Sequence, residues 1–172
     1  MYISNMIQIT NKPLLEETPD AIAHLCDCTS SMATGNAWKI FNKYPYGNTF
    51  HDRQNGNFSK STGWHMPGDI QVRTGQGPYI INMLAQYFPG MPGRDQWDTQ
   101  ETRANYIFSC YSKLLNIPNI KYISIPYNMF PYDQEVNKRY IEGLKIVEKG
   151  MLLQDKYVIT LHTKIENVDG VL

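Results

Sequence analysis

The chain carries no excess charge of either sign. Among its 172 residues Lys and Arg number 16, Asp and Glu number 16, and charged residues make up 19%. A protein that tracks a nucleic-acid backbone shows a basic excess or a basic stripe. Neither is present, so long nucleic acid is not the expected ligand, although a single nucleotide stays open. The densest positive cluster, Asn137-Lys138-Arg139 with Lys145 and Lys149, reads as the solvated face of a helix. Long apolar runs are also missing. No stretch approaches the roughly 20 residues of a membrane-spanning helix, and no membrane partner is expected. Met1-Tyr2-Ile3-Ser4-Asn5-Met6 lacks a basic segment followed by a long apolar one, so no secretory signal is read there. Cysteine is scarce: Cys26, Cys28 and Cys110 form no disulfide framework, which suits a reducing, cytoplasmic setting. Cys26-x-Cys28 beside His24 departs from the two-residue spacing and second ligand cluster of zinc sites. No metal and no cofactor are expected.

What is present is one core's worth of apolar residues, 42% of the chain, and a length that suits a single domain over residues 1–172. Strand-like and helix-like patterns alternate. Ile7–Thr10 alternates like a strand, and Ala21–Leu25 is a small-apolar run of the kind covered on both faces. A helix follows from about Thr34 to Asn42, with Pro45 shortly after its end. Residues 46–68 have no period and read as an irregular surface excursion. Asp69–Arg73 and Tyr79–Leu84 form a hairpin around Gly75-Gln76-Gly77. Asp98-Thr99-Gln100-Glu101 has capping-box spacing and opens a helix through Leu115. Tyr122–Ile125 and Tyr157–Leu161 are strands, and Gln134–Lys149 is a helix stopped by Gly150. The pattern predicts an α/β fold, a three-layer α/β/α sandwich with a mixed central sheet, in which Ala21–Leu25 and Tyr122–Ile125 are inner strands.

In such sheets ligands bind at the carboxyl ends of the strands. Two loops are placed there, Asp27–Gly35 and Pro126–Asp133. The first joins a buried strand to a helix opening near Gly35, where unpaired backbone N–H groups make a seat for a diphosphate. His24 is either a core residue or a group that orients water or phosphate. Asp133 is a helix N-cap, an acidic site residue, or both. Tyr127, Phe130 and Tyr132 either stack on a base or pack against a helix. Arg73, Arg94 and Arg103 are candidate phosphate clamps that the sequence does not rank. His51, His65 and His162 read as surface residues.

Ala21–Lys43, Ile81-Asn82-Met83-Leu84-Ala85-Gln86, Arg103–Leu115, Tyr122–Pro126 and Tyr157–Leu161 together resemble, in order and spacing, the macrodomains, modules that bind ADP-ribose. The resemblance covers roughly residues 7–163. It implies a diphosphate held by Ser30, Ser31, Met32, Ala33, Thr34, Gly35 and Asn36. Met32 and Gly35 fall where the family has Met-x-x-Gly, and Asp27 falls where many members carry an Asn at the distal ribose. Gln86, Tyr127, Asn128, Met129, Phe130 and Tyr132 complete the implied ligand set, and Asp133 matches an acidic residue of one hydrolytic branch. The chain departs from the family at three places. Asn11-Lys12 stand where the family has Gly-Asp, the Asp reading adenine, so that contact is either missing here or supplied by another residue such as Asp20. Tyr127–Tyr132 replaces a glycine-rich second phosphate loop. Gln86 replaces the lysine that forms a covalent intermediate in another hydrolytic branch.

The resemblance implies binding of ADP-ribose and hydrolysis of ADP-ribose 1″-phosphate or of an ADP-ribosyl adduct, with Asp27, Asp133 and His24 as catalytic residues. ADP-ribosylated macromolecules are then further partners. The alternatives are a non-catalytic reader of ADP-ribose and a binder of another nucleotide or an RNA end.

Overall fold

The computed structural model describes residues 7–53, 65–93, 95–127, 138, 141–146, 149 and 158–166. Its elements are β1 (Ile7–Pro13), β2 (Ala21–Asp27), α1 (Gly35–Lys43), β3 (Ile70–Arg73), β4 (Tyr79–Gln86), α2 (Gln100–Leu114), β5 (Tyr122–Pro126) and β6 (Val158–Lys164). Residues 138, 141–146 and 149 are helical, in the segment where the sequence predicts its last helix. The six strands form one mixed sheet in the order β1-β6-β5-β2-β4-β3, parallel except for β3, which runs antiparallel to β4.

Central strands are covered on both faces, and that explains the unbroken apolar run of β2. Ala21 and Ala23 face α2, where Ile81, Met83, Ile107, Tyr111, Leu114 and Leu144 pack. Ile22, Cys26 and Cys28 face α1, against Ile40, Phe41, Phe50, Ile80 and Leu84. The two clusters lie on either side of one sheet. The three-layer α/β/α arrangement is therefore the one the sequence predicts.

Two expectations are corrected. The excursion after α1 is not wholly on the surface: its 3-10 turn Thr49–Arg53 buries Thr49, Phe50 and Arg53. The capping box of α2 is shifted by one residue. Thr99 is the N-cap and exchanges hydrogen bonds with Thr102, 3.1 Å from Thr102 N to Thr99 Oγ1 and 2.8 Å in return. Asp98 instead turns inward and is fully buried.

Candidate functional site

The chain leaves β2 for β4 on one side and returns through α2 to β5 on the other, so β2 and β5 flank the point where strand order reverses. Parallel sheets bind ligands outside the carboxyl ends of such a pair. Here the backbone adds an opening. β2 pairs with β4 along its full length, from Ala21↔Tyr79 to Asp27↔Gln86, but with β5 only at Ala21↔Ile123 and Ile22↔Ser124. The carboxyl halves of β2 and β5 are not laddered together, and the loop that follows β2 borders the gap.

Asp27 ends β2 and organises its loop. Its Oδ1 accepts the N–H groups of Thr29 (2.9 Å) and Ser30 (2.6 Å), the local turn that a short carboxylate forms with its own backbone. Arg53, buried and stacked 4.6 Å over Phe50, closes the turn from outside. Its Nη1 lies 3.4 Å from Asp27 Oδ1 and donates to Ser30 O at 2.8 Å, while Nη2 donates to Asp27 O at 2.8 Å. His65 Nδ1 receives a further bond from Arg53 Nη2 at 2.7 Å. Burial pulls Arg53 below its usual value and the Asp27 charge pulls it back up. Among the described residues Asp27 Oδ2 has no hydrogen-bond partner, so this oxygen is available to a ligand hydroxyl.

Past this turn the loop opens to solvent. Ser31, Met32, Thr34 and Gly35 are exposed, with Ser30, Ala33 and Asn36 half-buried. Thr34 is the N-cap of α1 but makes no side-chain capping bond. The first-turn N–H groups of α1 therefore receive no acceptor from their own cap, the arrangement that attracts an anion. Gly35 adopts φ +58°, and a Cβ placed there meets nothing within 4 Å. The glycine is set by backbone conformation and not by crowding.

The loop after β4 meets the loop after β2 through Cys28 N, which donates to Tyr87 O at 3.0 Å. Gln86, beside Asp27 in the sheet, donates from Nε2 to Phe88 O at 2.9 Å. Arg103 pins this loop from within: it forks onto Asp98 (Nε–Oδ1 3.0 Å, Nη2–Oδ2 2.6 Å) and donates to Gly90 O at 2.6 Å and Phe88 O at 3.2 Å. Arg103 is 2% exposed, so it holds the loop and does not clamp a phosphate. Burial pushes the Cys28 thiol up to about 12, which makes it a packing group and not a nucleophile.

Several predicted site residues lie elsewhere. His24 is 2% exposed, edge-on to Phe41, with Nε2 2.7 Å from Asn82 Oδ1. Asn82 Nδ2 donates to Gly47 O at 2.8 Å, so its Oδ1 is the acceptor and His24 Nε2 carries the proton. Burial lowers His24 to about 4. The ring is a neutral core group that ties β2 to β4, which corrects its assignment to the catalytic set. Asp20 is at the amino end of β2, across the sheet from the loops, where its Oδ2 accepts Lys121 N and Tyr122 N, each at 2.9 Å. It therefore does not supply an adenine contact at the carboxyl edge. His162 is 1% exposed, bonded to Lys12 O and Ser124 Oγ, and is not the surface residue expected. Tyr127 is half-buried at the end of β5, its N–H bonded to His162 O at 2.8 Å and its ring against the α2-side cluster. Arg94, Asn128, Met129, Phe130, Tyr132 and Asp133 lie outside the described residues.

Arg53, His65 and Asp98 are the residues that sequence reasoning missed. For Arg53 a partial signal existed: Asn48 caps the turn before it, accepting Phe50 N (2.9 Å) and His51 N (3.2 Å), and an Asn at that place marks a helical start. Nothing local announces its partner Asp27.

No protein-family model matches the sequence, and no curated protein matches it either. Solved structures do. The macrodomain of Mycobacterium tuberculosis DarG aligns with a TM-score of 0.62 at 19% identity, over 93% of this chain and 100% of that one. The macrodomain of Thermus aquaticus DarG gives 0.61 at 18% identity, over 91% and 98%. An Oceanobacillus iheyensis macrodomain with ADP gives 0.58 at 15% identity, over 90% and 81%. Over most of each chain these alignments show one thing, the fold: the chain has the macrodomain fold.

Proposed function

We propose that the chain binds ADP-ribose along the carboxyl edge of its sheet and hydrolyses an ADP-ribose derivative, either ADP-ribose 1″-phosphate or an ADP-ribosyl adduct. The diphosphate rests on the loop 30–36 and the first turn of α1, and the distal ribose lies toward Asp27. The observation that carries this reading is the break in the β2–β5 ladder at the point of strand reversal, bordered by an uncapped helix start. The similarity to a macrodomain with ADP supports a nucleoside diphosphate as the group bound. Asp27 Oδ2 would accept a ribose hydroxyl or orient a water while Oδ1 keeps the loop in shape. A second carboxylate, Asp133, belongs to the same proposal. A cytoplasmic setting goes with it, since the three cysteines are buried free thiols.

One observation favours a second reading, binding without turnover. Asp27 already serves the loop and Arg53, and a carboxylate so engaged is a better acceptor than a proton carrier. Calorimetry with ADP-ribose, AMP and other nucleotides, followed by product analysis with both substrate classes, separates the readings. Binding of ADP-ribose in the micromolar range, about −8 kcal/mol, with weaker AMP, is the expected result. Gly35→Glu should abolish it by setting a carboxylate at the anion seat; unchanged affinity in a folded variant excludes that loop. Preference for another nucleotide would overturn the ADP-ribose assignment, and binding with no product from either class would leave a reader.

A further inference from the structure

β5 and β6 are inner strands, yet only one of their faces is apolar. Ile123, Ile125, Ile159 and Leu161, with Ile7 and Ile9 of β1, pack into the α2-side cluster. Alternate residues turn to the other face. There Gln8, Thr160 and Ser124 lie in one rung, and Thr10 and His162 lie in the next. Inner strands of parallel sheets are ordinarily apolar on both faces, as β2 is. What lies over this polar tile is the connection from β1 to β2. Its 3-10 turn sends Leu14 into the α1-side cluster, and Glu17-Thr18-Pro19 then brings no large apolar side chain to the tile. A polar cavity of about 300 Å³ remains between them, at the small end of the range for small-molecule sites. It shares no residue with the nucleotide seat at the carboxyl end of β2.

We propose that this cavity binds one neutral sugar ring. Its groups suit hydroxyls and not ions. His162 is 1% exposed and Ser124 4%. A backbone carbonyl only accepts, so the 2.8 Å contact with Lys12 O fixes a proton on His162 Nδ1. Burial holds His162 below its ordinary value, so the ring is neutral and its Nε2 accepts the Ser124 hydroxyl at 3.1 Å. Ser124 Oγ keeps lone pairs to accept with. Thr10 Oγ1 accepts Lys12 N at 3.2 Å and keeps its proton to donate. Among the described residues the side chains of Gln8 and Thr160 have no hydrogen-bond partner, and each can both donate and accept. A sugar hydroxyl needs that pairing of donor with acceptor. The charged groups of the lining, Lys12 and Glu17, cancel, so the cavity carries no net charge to hold an anion. Pro19 and Tyr122, the latter with Lys121 5.5 Å over its ring, supply apolar wall for the C–H groups of a sugar.

Saturation-transfer NMR and calorimetry on the full chain test the proposal. The probes are D-glucose, D-galactose, D-mannose, D-ribose and D-xylose, with phosphate, glutamate and glucuronate as charged comparators. At least one neutral sugar should bind, and no charged comparator should displace it. Thr160→Val keeps the shape of the side chain and removes its hydroxyl. It should weaken the sugar roughly fivefold, the worth of one neutral hydrogen bond, and Gln8→Leu should do the same. Thr18→Trp, at an exposed position on the lining, should block entry with the circular dichroism unchanged. Affinity for ADP-ribose should stay the same in all three variants. Equal binding of the methyl glycoside would make the end of a glycan the source of the ring, and its failure would make the source a free sugar. The proposal is overturned if no neutral sugar binds at millimolar concentration, or if phosphate or glutamate takes the sugar's place. Sugar binding indifferent to Thr160→Val and Thr18→Trp overturns it too. Loss of ADP-ribose affinity in Thr160→Val would make the cavity part of the nucleotide seat and end its standing as a second site.

Discussion

Asp27 and His24 lie three residues apart on one strand, and their neighbours give them opposite fates. Asp27 is at the strand end with one oxygen committed and the other without a partner among the described residues. Asp27→Asn keeps an oxygen for Thr29 N and Ser30 N, so the loop should survive. If the carboxylate acts in the transition state, kcat should fall by roughly 10²–10⁴-fold; a raised KM with kcat unchanged would make it a binding contact. His24 predicts a pH effect instead. Its folded value is about 4 against an ordinary 6.5, so between those values the unfolded chain takes a proton that the folded chain refuses. Stability is intact above about 6.5 and falls with acid by roughly 1.4 kcal/mol per pH unit until the folded value is reached. His162 is lowered by burial too and acts in the same direction. His24→Gln, which keeps a donor for Asn82, should give a shallower acid limb in denaturant titrations. An unchanged slope would mean that the limb belongs to other groups.

At the scale of elements, the β4–α2 connection hangs on one buried ion pair. Removing one member strands the other: Arg103→Leu leaves the Asp98 carboxylate buried, still accepting Tyr87 N (3.0 Å) but without its counter-charge. Such losses cost about 3–5 kcal/mol. Arg103→Leu should lower Tm by roughly 10 °C in a chain of this size and weaken ligand binding, because Cys28 N leans on this loop through Tyr87. Arg103→Leu with Asp98→Asn should recover part of the stability, and a single variant of ordinary Tm would remove the pair from its supporting role. The elements themselves were legible. Alternation, turn residues and caps marked β2, α1, the β3–β4 hairpin and α2 within a residue or two. Side chains whose partners come from distant sequence were not. Asp98 read as a cap because a carboxylate before a helix usually is one, and only Arg103 folding back onto it explains its burial. The places of Asp27 at a strand end and Gly35 at a helix start were legible because strand-loop-helix patterning is local. Arg53 was not, because its partner lies across an aperiodic stretch.

For the whole molecule, strand order sets the timetable of assembly. β2, β4 and β3 are near one another in sequence and can pair as soon as that stretch exists. Among the described residues β1 pairs with β6 alone, and Ile7 meets Ile159. β1 must therefore wait for β6, holding the apolar Ile7 without its cover while the centre of the sheet is already closed. Contacts so far apart along a chain form late, because the loop must close before they are rewarded. Pulse-labelled amide exchange during refolding should protect Ile22–Leu25 and Ile80–Leu84 before Ile7–Thr10; simultaneous protection would mean that the sheet closes as one unit. During synthesis the wait has a further consequence. A ribosome that stalls before β6 would present a finished β2–β4 centre beside an orphaned β1, a nascent chain for a chaperone to shield and a protease to cut.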